Sequence, residues 1–182
     1  MTLSRLQIQV NVGVLTLSWR LCPDGVARTS RVSWSAAAEI QSGLIPVIPG
    51  SVVELAGRLA GYFETGSPIG DLAWDALDQE QWTPFQRAVY RSISEIPHGE
   101  TRTYGWVARK IGKFSATRAV GQALRNNPLP ILIPCHRVVS HDSLGGFMGC
   151  SDLAGPEMRL KTALISIEDS YRQPVFPLLS VV

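Results

Sequence analysis

Three prolines within seven residues place the most severe restriction on how this chain can fold. Pro128, Pro130 and Pro134 precede Cys135, and each proline fixes its own φ angle and removes a backbone hydrogen-bond donor. Because the residues between them are apolar, we expect a stiff segment that presents the cysteine thiol from apolar surroundings. A cysteine acts as a nucleophile in its thiolate form, which a nearby base or positive charge favours. His136 and Arg137, which follow directly, are the candidate activating groups.

We do not expect a direct hydrogen bond between Cys135 and His136, because side chains at adjacent positions seldom point the same way. We expect a bridging water to carry the proton. A neutral histidine base also needs an acceptor on its other ring nitrogen, and Glu168 is the candidate, with Asp169 as the alternative. The predicted last helix buries one stripe, and Glu168 falls on the same side. The stripe consists of Leu160, Ala163, Leu164 and Ile167.

A basic segment surrounds the cysteine. Residues 83–137 carry nine Lys or Arg and two Asp or Glu, a net charge of +7, although the whole chain carries only +2. Such a concentration of positive charge is typical of surfaces that meet a polyphosphate. Taken singly, Cys135 would more often be an inert core residue, His136 a structural histidine and Glu168 a fraying helix end. Their joint occurrence with the basic segment favours a reactive site.

The basic segment contains two predicted short helices, at 104–111 and 115–126, whose spacing is that of a helix-turn-helix. The apolar stripe of the second helix is Ala116, Ala119, Val120, Ala123 and Leu124. The opposite face holds Thr117, Arg118, Gly121, Gln122 and Arg125. Glycine in mid-helix costs about 1 kcal/mol relative to alanine, so Gly121 indicates the close approach of a phosphate backbone or groove floor. The alternative is an ordinary solvated face.

The N-terminal part of the chain has the alternation of an antiparallel sheet. Apolar and polar residues alternate over 6–20, with a change of phase at Gly13, and a further strand is predicted at 26–34 after a turn. Helical spacing follows at 51–63, with Ser51 as the expected N-cap and Gly66 at the end. We interpret the acidic, turn-rich residues 64–82 as a linker. Thr83 then caps a helix that runs through Ile96.

Composition limits the setting in which this protein works. With 182 residues, 45% of them apolar and 18% charged, the chain is long enough for a substantial core. Three cysteines are too few for a disulfide framework, which favours a reducing compartment. The first residues do not read as a signal peptide, and no apolar run approaches the roughly 20 residues that span a bilayer. We therefore expect an intracellular protein, cytoplasmic or nuclear, without a membrane partner.

Four motifs follow one another along residues 83–139. They are Thr83-Pro84-Phe85-Gln86, Ile96-Pro97-His98-Gly99-Glu100-Thr101 with Tyr104, Arg118-Ala119-Val120-Gly121, and Asn127-Pro128 through Pro134-Cys135-His136-Arg137-Val138. In this order and spacing they resemble the 6-O-alkylguanine-DNA alkyltransferases, also called methylated-DNA-protein-cysteine methyltransferases. The resemblance extends more weakly over 161–168.

The resemblance implies an α+β fold. An N-terminal support domain at 1–78 would hold a ribonuclease-H-like antiparallel sheet with a helix. A helical domain at 79–170 would carry the helix-turn-helix and the alkyl acceptor, followed by a tail at 171–182. The helix-turn-helix would enter the minor groove of double-stranded DNA, and the alkylated guanine would be flipped into the pocket.

The resemblance also implies a role for each site residue. Cys135 would accept the alkyl group, with His136 as water-mediated base, Glu168 as its orienting group and Tyr104 as proton donor to the departing guanine. Arg118 would replace the extruded base in the stack. The neighbouring DNA contacts would be Thr117, Ala119, Gly121, Gln122 and Arg125. Asn127 would hold the helix pair against the active-site loop, and Val138 and Phe147 would belong to the substrate pocket.

The expected reaction is a single, self-inactivating transfer by a monomer without a cofactor. The thioether product has no ready hydrolytic route back to a thiol, and displacement at carbon needs no metal. Some family members hold a structural zinc near the N-terminus. Here no histidine precedes His98 and Cys22 stands alone, so we expect no metal.

Two departures from the family pattern affect the pocket. Gly146-Phe147 stands where the family usually has Gly-Tyr, and Phe147 cannot donate a phenolic hydrogen bond. The connection 148–156 is longer than usual, which leaves the substrate size preference open. Cys150 in this connection is expected to be a small filler rather than a second acceptor.

Three other functions compete with alkyl transfer. One is a lesion sensor that flips the base but lacks the acceptor, against which Cys135 argues. Another is a helix-turn-helix regulator in which the cysteine segment only packs. The last is a cysteine hydrolase, which would need a base supplied from elsewhere in the chain.

Overall fold

The computed structural model describes residues 3–35, 47–150, 152 and 154–172 of the chain. It begins with a three-stranded antiparallel sheet in the order β1 (Leu3–Val10), β2 (Gly13–Leu21) and β3 (Ala27–Ser35). Val10 pairs with Gly13 across a two-residue turn, so the change of phase at Gly13 marks a hairpin. The predicted sheet and the α+β class are confirmed.

The first helix, α1 (Gly50–Thr65), confirms the predicted helix but not its N-cap. Pro49 occupies the cap position and no side chain caps the helix, so the prediction for Ser51 is wrong. The helix starts one residue earlier, and Ser51 is already inside it. At the other end Gly66 has a φ of 72° and its N–H bonds to the Tyr62 carbonyl, as expected of a left-handed C-cap.

The segment that we interpreted as a linker packs against the sheet. It contains a 3₁₀ turn at Trp74–Ala76, and Leu77, which is buried, forms a parallel bridge with Thr29 of β3. The Arg20 guanidinium donates to Asp78 at 2.8 Å. Residues 74–78 are therefore fixed to the sheet. The domain boundaries at 78/79 and 170/171 stay predictions.

The C-terminal half is mostly helical. It consists of α2 (Pro84–Ser94), β4 (Arg102–Thr103), α3 (Tyr104–Lys110), α4 (Thr117–Arg125), β5 (Val138–Val139) and α5 (Pro156–Arg172). β4 and β5 pair in parallel, which brings the start of α3 beside the segment that follows Cys135. α3 and α4 confirm the predicted helix pair, although α4 starts two residues later than 115.

Two predicted helix faces need correction. Ala119 is exposed and does not belong to the apolar stripe of α4, whose buried members are Val120, Ala123 and Leu124. The inward side of α5 is shifted from the predicted one: Leu164 and Glu168 are buried as expected, whereas Leu160 and Ile167 pack against the core only half-buried, and Ala163 is half-buried as well. Its fully buried residues are Met158, Lys161, Leu164 and Glu168. A polar pair therefore occupies positions that the apolar pattern alone could not identify.

One connected core joins the two halves of the chain. Its buried apolar members include Leu17 of β2, Leu59 of α1, Ile93 of α2, Leu124 of α4 and Leu164 of α5. α1 contacts both the sheet and α5, so it lies between the N-terminal sheet and the last helix. Within the described residues, no helix is both long and apolar enough to cross a membrane. Residues 173–182, most of the predicted tail, lie outside the described part.

The N-terminal ends of α2 and α1 lead to different predictions for the effect of a substitution on stability. The Thr83 hydroxyl accepts from the Gln86 N–H at 3.2 Å, and the Gln86 side chain accepts from the Thr83 N–H at 2.9 Å. We expect Thr83→Ala to lower the free energy of unfolding by about 1 kcal/mol, since it removes this capping box. Ser51→Ala should change it by less than about 0.5 kcal/mol, since Ser51 caps nothing. Urea denaturation of both variants tests this, and equal losses would contradict it.

Candidate active site

Cys135 lies at the start of a 3₁₀ turn, Cys135–Arg137, directly after Pro134. Its side chain is buried, with 5% of the residue exposed. The Asn127 amide donates to Cys135 Sγ at 3.1 Å and to the Ile133 carbonyl at 2.8 Å, and its oxygen accepts from the Leu129 N–H at 3.0 Å. Asn127 follows α4 in the chain, so this one side chain connects the end of α4 to the cysteine segment.

The surroundings of Cys135 work against a free thiolate. Burial raises the pKa of the Cys135 thiol, and the hydrogen bond from Asn127 and the positive charge of Lys161 only partly oppose this shift. The group is therefore a thiol at neutral pH. A base must remove its proton when the sulfur reacts.

Glu168 receives more hydrogen bonds than any other side chain near the cysteine. Its Oε1 accepts from Tyr62 at 2.9 Å, His136 at 2.7 Å and Arg137 at 3.0 Å. Its Oε2 accepts from the Gly99 N–H and from Arg137 Nε, both at 2.9 Å. Burial opposes the charged carboxylate, but the bonds from His136 and Arg137 outweigh it and lower the pKa of Glu168. Glu168 is thus an ionised, fully satisfied acceptor.

His136 is fully buried and held by this carboxylate. Because Glu168 accepts from Nε2, the proton of the neutral ring belongs on Nε2 and the lone pair on Nδ1. Among the described residues, Nδ1 has no hydrogen-bond partner. Burial lowers the pKa of His136 despite the neighbouring carboxylate. The ring is therefore neutral and has a basic nitrogen available.

The two candidate activators of Cys135 both bind the Glu168 carboxylate. No hydrogen bond joins the His136 ring to Cys135 Sγ in the described part of the chain, as expected for adjacent residues. Arg137 points away from the cysteine as well, since it bonds to Glu168 and to the Ile96 carbonyl at 2.8 Å. The expectation that Arg137 could activate the thiol directly is therefore wrong. Asp169 is exposed, and Glu168 takes the position beside His136.

Lys161 is a site residue that the sequence analysis missed. It is fully buried on the inner side of α5, and its ammonium donates to the carbonyls of Val138 at 2.7 Å, Leu144 at 2.5 Å and Gly146 at 3.1 Å. Burial lowers its pKa to about 8. Its spacing of seven residues from Glu168 was the available signal, because it puts both on one helix side. Lys161 connects the segment after Cys135 to the loop before Phe147.

Tyr62 was also missed, because it comes from the N-terminal half. Its hydroxyl donates to Glu168, and burial, followed by the negative charge of Glu168, raises the pKa of the phenol. Tyr62 therefore stays a hydrogen-bond donor. No local motif in α1 could have indicated a contact with a residue 106 positions away.

A cavity of about 240 Å³ opens beside Cys135. Its volume is slightly below the roughly 300 Å³ at which sites for drug-sized ligands begin, which suits a single heterocyclic base. The lining residues are Tyr104, Gly121, Leu124, Arg125, Cys135, Gly146, Phe147, Met148, Gly149 and Cys150. Tyr104 donates to the Gly146 carbonyl at 3.1 Å. Gly121 also lines this cavity, and its close approach to a phosphate backbone or groove floor stays a prediction.

The remaining predicted residues divide between surface and interior. Thr117, Arg118, Gln122 and Arg125 are exposed on α4, together with Ala119. Val138 and Phe147 are buried. Phe147 and Cys150 line the same cavity as Cys135. In the described ranges, no group of three His, Cys, Asp or Glu side chains is placed to hold a metal ion.

Comparisons with known proteins agree with this geometry. The family profile described as 6-O-methylguanine DNA methyltransferase, DNA binding domain, matches residues 84–170. A methylated-DNA-protein-cysteine methyltransferase of Mycolicibacterium paratuberculosis is 34% identical over 149 residues, which are 78% of this chain and 81% of that protein. One from Methanosarcina acetivorans is 40% identical over 102 residues, 55% of this chain, but the match spans only 62% of that protein.

Solved structures extend the similarity to nearly the whole chain. The O6-methylguanine methyltransferase of Mycobacterium tuberculosis has a TM-score of 0.72 at 29% identity, over 95% of this chain and 96% of that one. An OGT of the same organism in complex with DNA has a TM-score of 0.68 at 29% identity, over 91% and 92%. The fold and the order of the elements are therefore shared.

The buried histidine and carboxylate predict that acid destabilises the protein in two steps. The folded-state pKa of each is lowered, so below pH of about 6.5 for His136 and about 4.3 for Glu168 the unfolded chain binds protons that the folded chain does not. The free energy of unfolding should fall by up to about 1.4 kcal/mol per pH unit for each group. Urea titrations from pH 8 down to about pH 2.5 cover both steps and measure this dependence.

We assign the first step to His136, because its ring is fully buried and its pKa is lowered. A His136→Gln variant should lose the decline that begins near pH 6.5 while keeping the one at lower pH. The exposed His141 provides the control, since His141→Gln should leave the whole profile unchanged. A first step that survives in His136→Gln would contradict the neutral, buried state of this ring.

Proposed function

Since the chain belongs to the methylated-DNA-protein-cysteine methyltransferase family, we propose that it repairs DNA by moving an alkyl group from the 6-oxygen of guanine to its own Cys135. One observation carries the proposal. Cys135 lies on the wall of a cavity of about 240 Å³, and a neutral histidine held by a carboxylate is the next residue. A soft sulfur nucleophile, a base and a space for the purine are the parts that this transfer requires.

The reaction starts with the loss of the thiol proton. His136 Nδ1 takes the proton of Cys135 through a bridging water, and Glu168 stabilises the imidazolium that forms. The sulfur then attacks the alkyl carbon. A carbon–sulfur bond forms, the bond between carbon and the guanine oxygen breaks, and its electron pair stays on the guanine. Because burial lowers the pKa of His136, the ring is neutral near neutral pH and its Nδ1 lone pair is available to take the proton.

Tyr104 is the proposed proton donor to the departing guanine. Burial, followed by the negative charge of Cys135, raises the pKa of its phenol, so the hydroxyl is protonated at neutral pH. It lines the cavity, and its one proton turns from the Gly146 carbonyl to the guanine when the substrate is bound. The proton that His136 took from Cys135 then returns to the Tyr104 oxygen through water, so that the guanine leaves with one proton and the phenol is restored. A protonated or hydrogen-bonded guanine leaves more easily than a bare anion. The thioether product does not return to a thiol, so each molecule reacts once.

The proposed DNA contact is the exposed face of α4. Arg118 would fill the space that the flipped nucleotide leaves, and the small side chain of Ala119 allows the helix to approach the minor groove closely. Thr117, Gln122 and Arg125 would contact the backbone around it. Support comes from the net charge of residues 83–137 and from the DNA complex of the similar OGT.

Transfer of a labelled methyl group tests the reaction. With duplex DNA that carries labelled O6-methylguanine, we expect one label per protein molecule and none in a Cys135→Ala variant that still binds DNA. Cys22→Ala is the control, because Cys22 lies in the N-terminal sheet region and should leave transfer unchanged. Label that stays on the DNA would indicate a lesion sensor or a regulator. More than one turnover per molecule would indicate a hydrolase.

The DNA contacts are tested by comparing Arg118→Ala with Lys113→Ala. Arg118→Ala should slow transfer from duplex DNA at least roughly tenfold, because unstacking a base costs a few kcal/mol and tenfold corresponds to about 1.4 kcal/mol. Its transfer from the free base O6-methylguanine should be unchanged, since no base has to be flipped. Lys113→Ala should instead reduce the salt dependence of binding by about one phosphate contact. Equal effects of both substitutions would contradict these roles.

A further inference from the structure

The cavity wall contains a tight turn with unusual backbone angles. The Phe147 N–H donates to the Cys150 carbonyl and the Cys150 N–H donates to the Phe147 carbonyl, both at 2.9 Å. Between them Met148 has a φ of 49° and Gly149 a φ of 87°. Positive φ at both central residues defines a type I′ turn, for which Asn-Gly is the preferred sequence. A methionine in this conformation is strained, and strained residues concentrate at functional sites.

The surrounding side chains fix this turn in place. The Gly146 carbonyl, at its base, accepts from both Tyr104 and Lys161. A Cβ atom added to Gly149 would lie 2.8 Å from Arg125 Nε, so the Arg125 side chain packs directly on the turn backbone. Tyr104, Lys161 and Arg125 therefore all contact the turn or the residue before it.

Met148 is the large side chain at the rim of the cavity. It lines the cavity with Cys135, and 41% of the residue is exposed. It also lines a small apolar crevice together with Trp34 and Ile131. The residue thus lies between the reacting sulfur and the N-terminal sheet. Phe147 lines the cavity too but is buried, and Gly149 has no side chain, so Met148 and Cys150 are the turn side chains that reach the open edge of the cavity.

We propose that Met148 sets the upper size limit of the alkyl group that Cys135 accepts. This inference rests on the proposed function. The transferred carbon has to reach Cys135 Sγ, so the rest of a larger group must lie against the wall that the turn forms. A methyl group needs no such space, whereas a benzyl group has to displace the thioether side chain. The strain at Met148 is retained because the bulk at this position excludes larger groups.

Three substitutions separate the bulk of Met148 from its backbone strain. Met148→Asn and Met148→Gly both suit a positive φ and remove the long side chain, whereas Met148→Leu keeps the bulk. The rate constants of transfer from duplex oligonucleotides with O6-methylguanine and with O6-benzylguanine are measured by mass spectrometry of the Cys135 peptide. The ratio of the benzyl rate to the methyl rate should rise roughly tenfold in the first two variants, the scale on which apolar pockets discriminate size.

The control variants decide what the ratio means. Met148→Leu should keep the ratio of the unsubstituted protein, and so should Val53→Asn, an exposed change on α1 far from the cavity. Thermal unfolding of Met148→Asn at or above the temperature of the unsubstituted protein shows that its turn is intact. An unchanged ratio in Met148→Asn and Met148→Gly would overturn the proposal, and so would an equal rise in Met148→Leu.

The same measurements distinguish failure of the proposed function from failure of this inference. If Met148 does not limit size, the unsubstituted protein still transfers methyl groups and the ratio alone fails to change. If the chain is no alkyltransferase, the unsubstituted protein transfers neither group, which overturns both. A ratio that rises in Cys150→Gly but not in the Met148 variants would assign the limit to Cys150 and would also overturn the proposal.

Discussion

The buried carboxylate of Glu168 is the interaction on which the rest of the site depends. Five hydrogen bonds reach it, from Tyr62 of α1, from the backbone of Gly99, and from His136 and Arg137 beside the cysteine. A buried charge is tolerated only when it is paired and hydrogen-bonded. The same bonds hold the His136 ring in one tautomer and join the N-terminal half to the cysteine segment. Stability and reactivity therefore share one group.

Burial of the cysteine creates a conflict that the neighbouring residues resolve. The apolar segment that presents Cys135 also raises the pKa of its thiol, which protects the sulfur from unwanted reactions but makes it a poor nucleophile. Asn127 and Lys161 favour the thiolate without being sufficient. His136, kept neutral by the same burial, is the proposed base. Its place next to Cys135 in the chain would let it take the thiol proton through a water molecule.

Some elements and caps could be predicted from the sequence and others could not, and each difference has a physical cause. Thr83 was identified as a cap because a threonine followed by a proline is a local signal for a helix start. Ser51 failed as a cap because α1 already starts at Gly50, with Pro49 in the cap position. Alanine occurs both on surfaces and in cores, so helical periodicity could not show on which face of α4 Ala119 lies. The inner side of α5 was shifted because two of its buried residues, Lys161 and Glu168, are polar and become visible only through their partners.

The sequence by itself determined the sheet, the helix pair, the presentation of Cys135 after its prolines and the identity of the family, since these depend on local backbone preferences and contiguous motifs. Only the tertiary structure decided which groups surround the cysteine. Tyr62 reaches Glu168 across 106 positions, Arg137 turns away from the sulfur, and Lys161 connects two loops. Such contacts arise from packing between distant elements, and no local pattern of residues specifies which side chains will meet there.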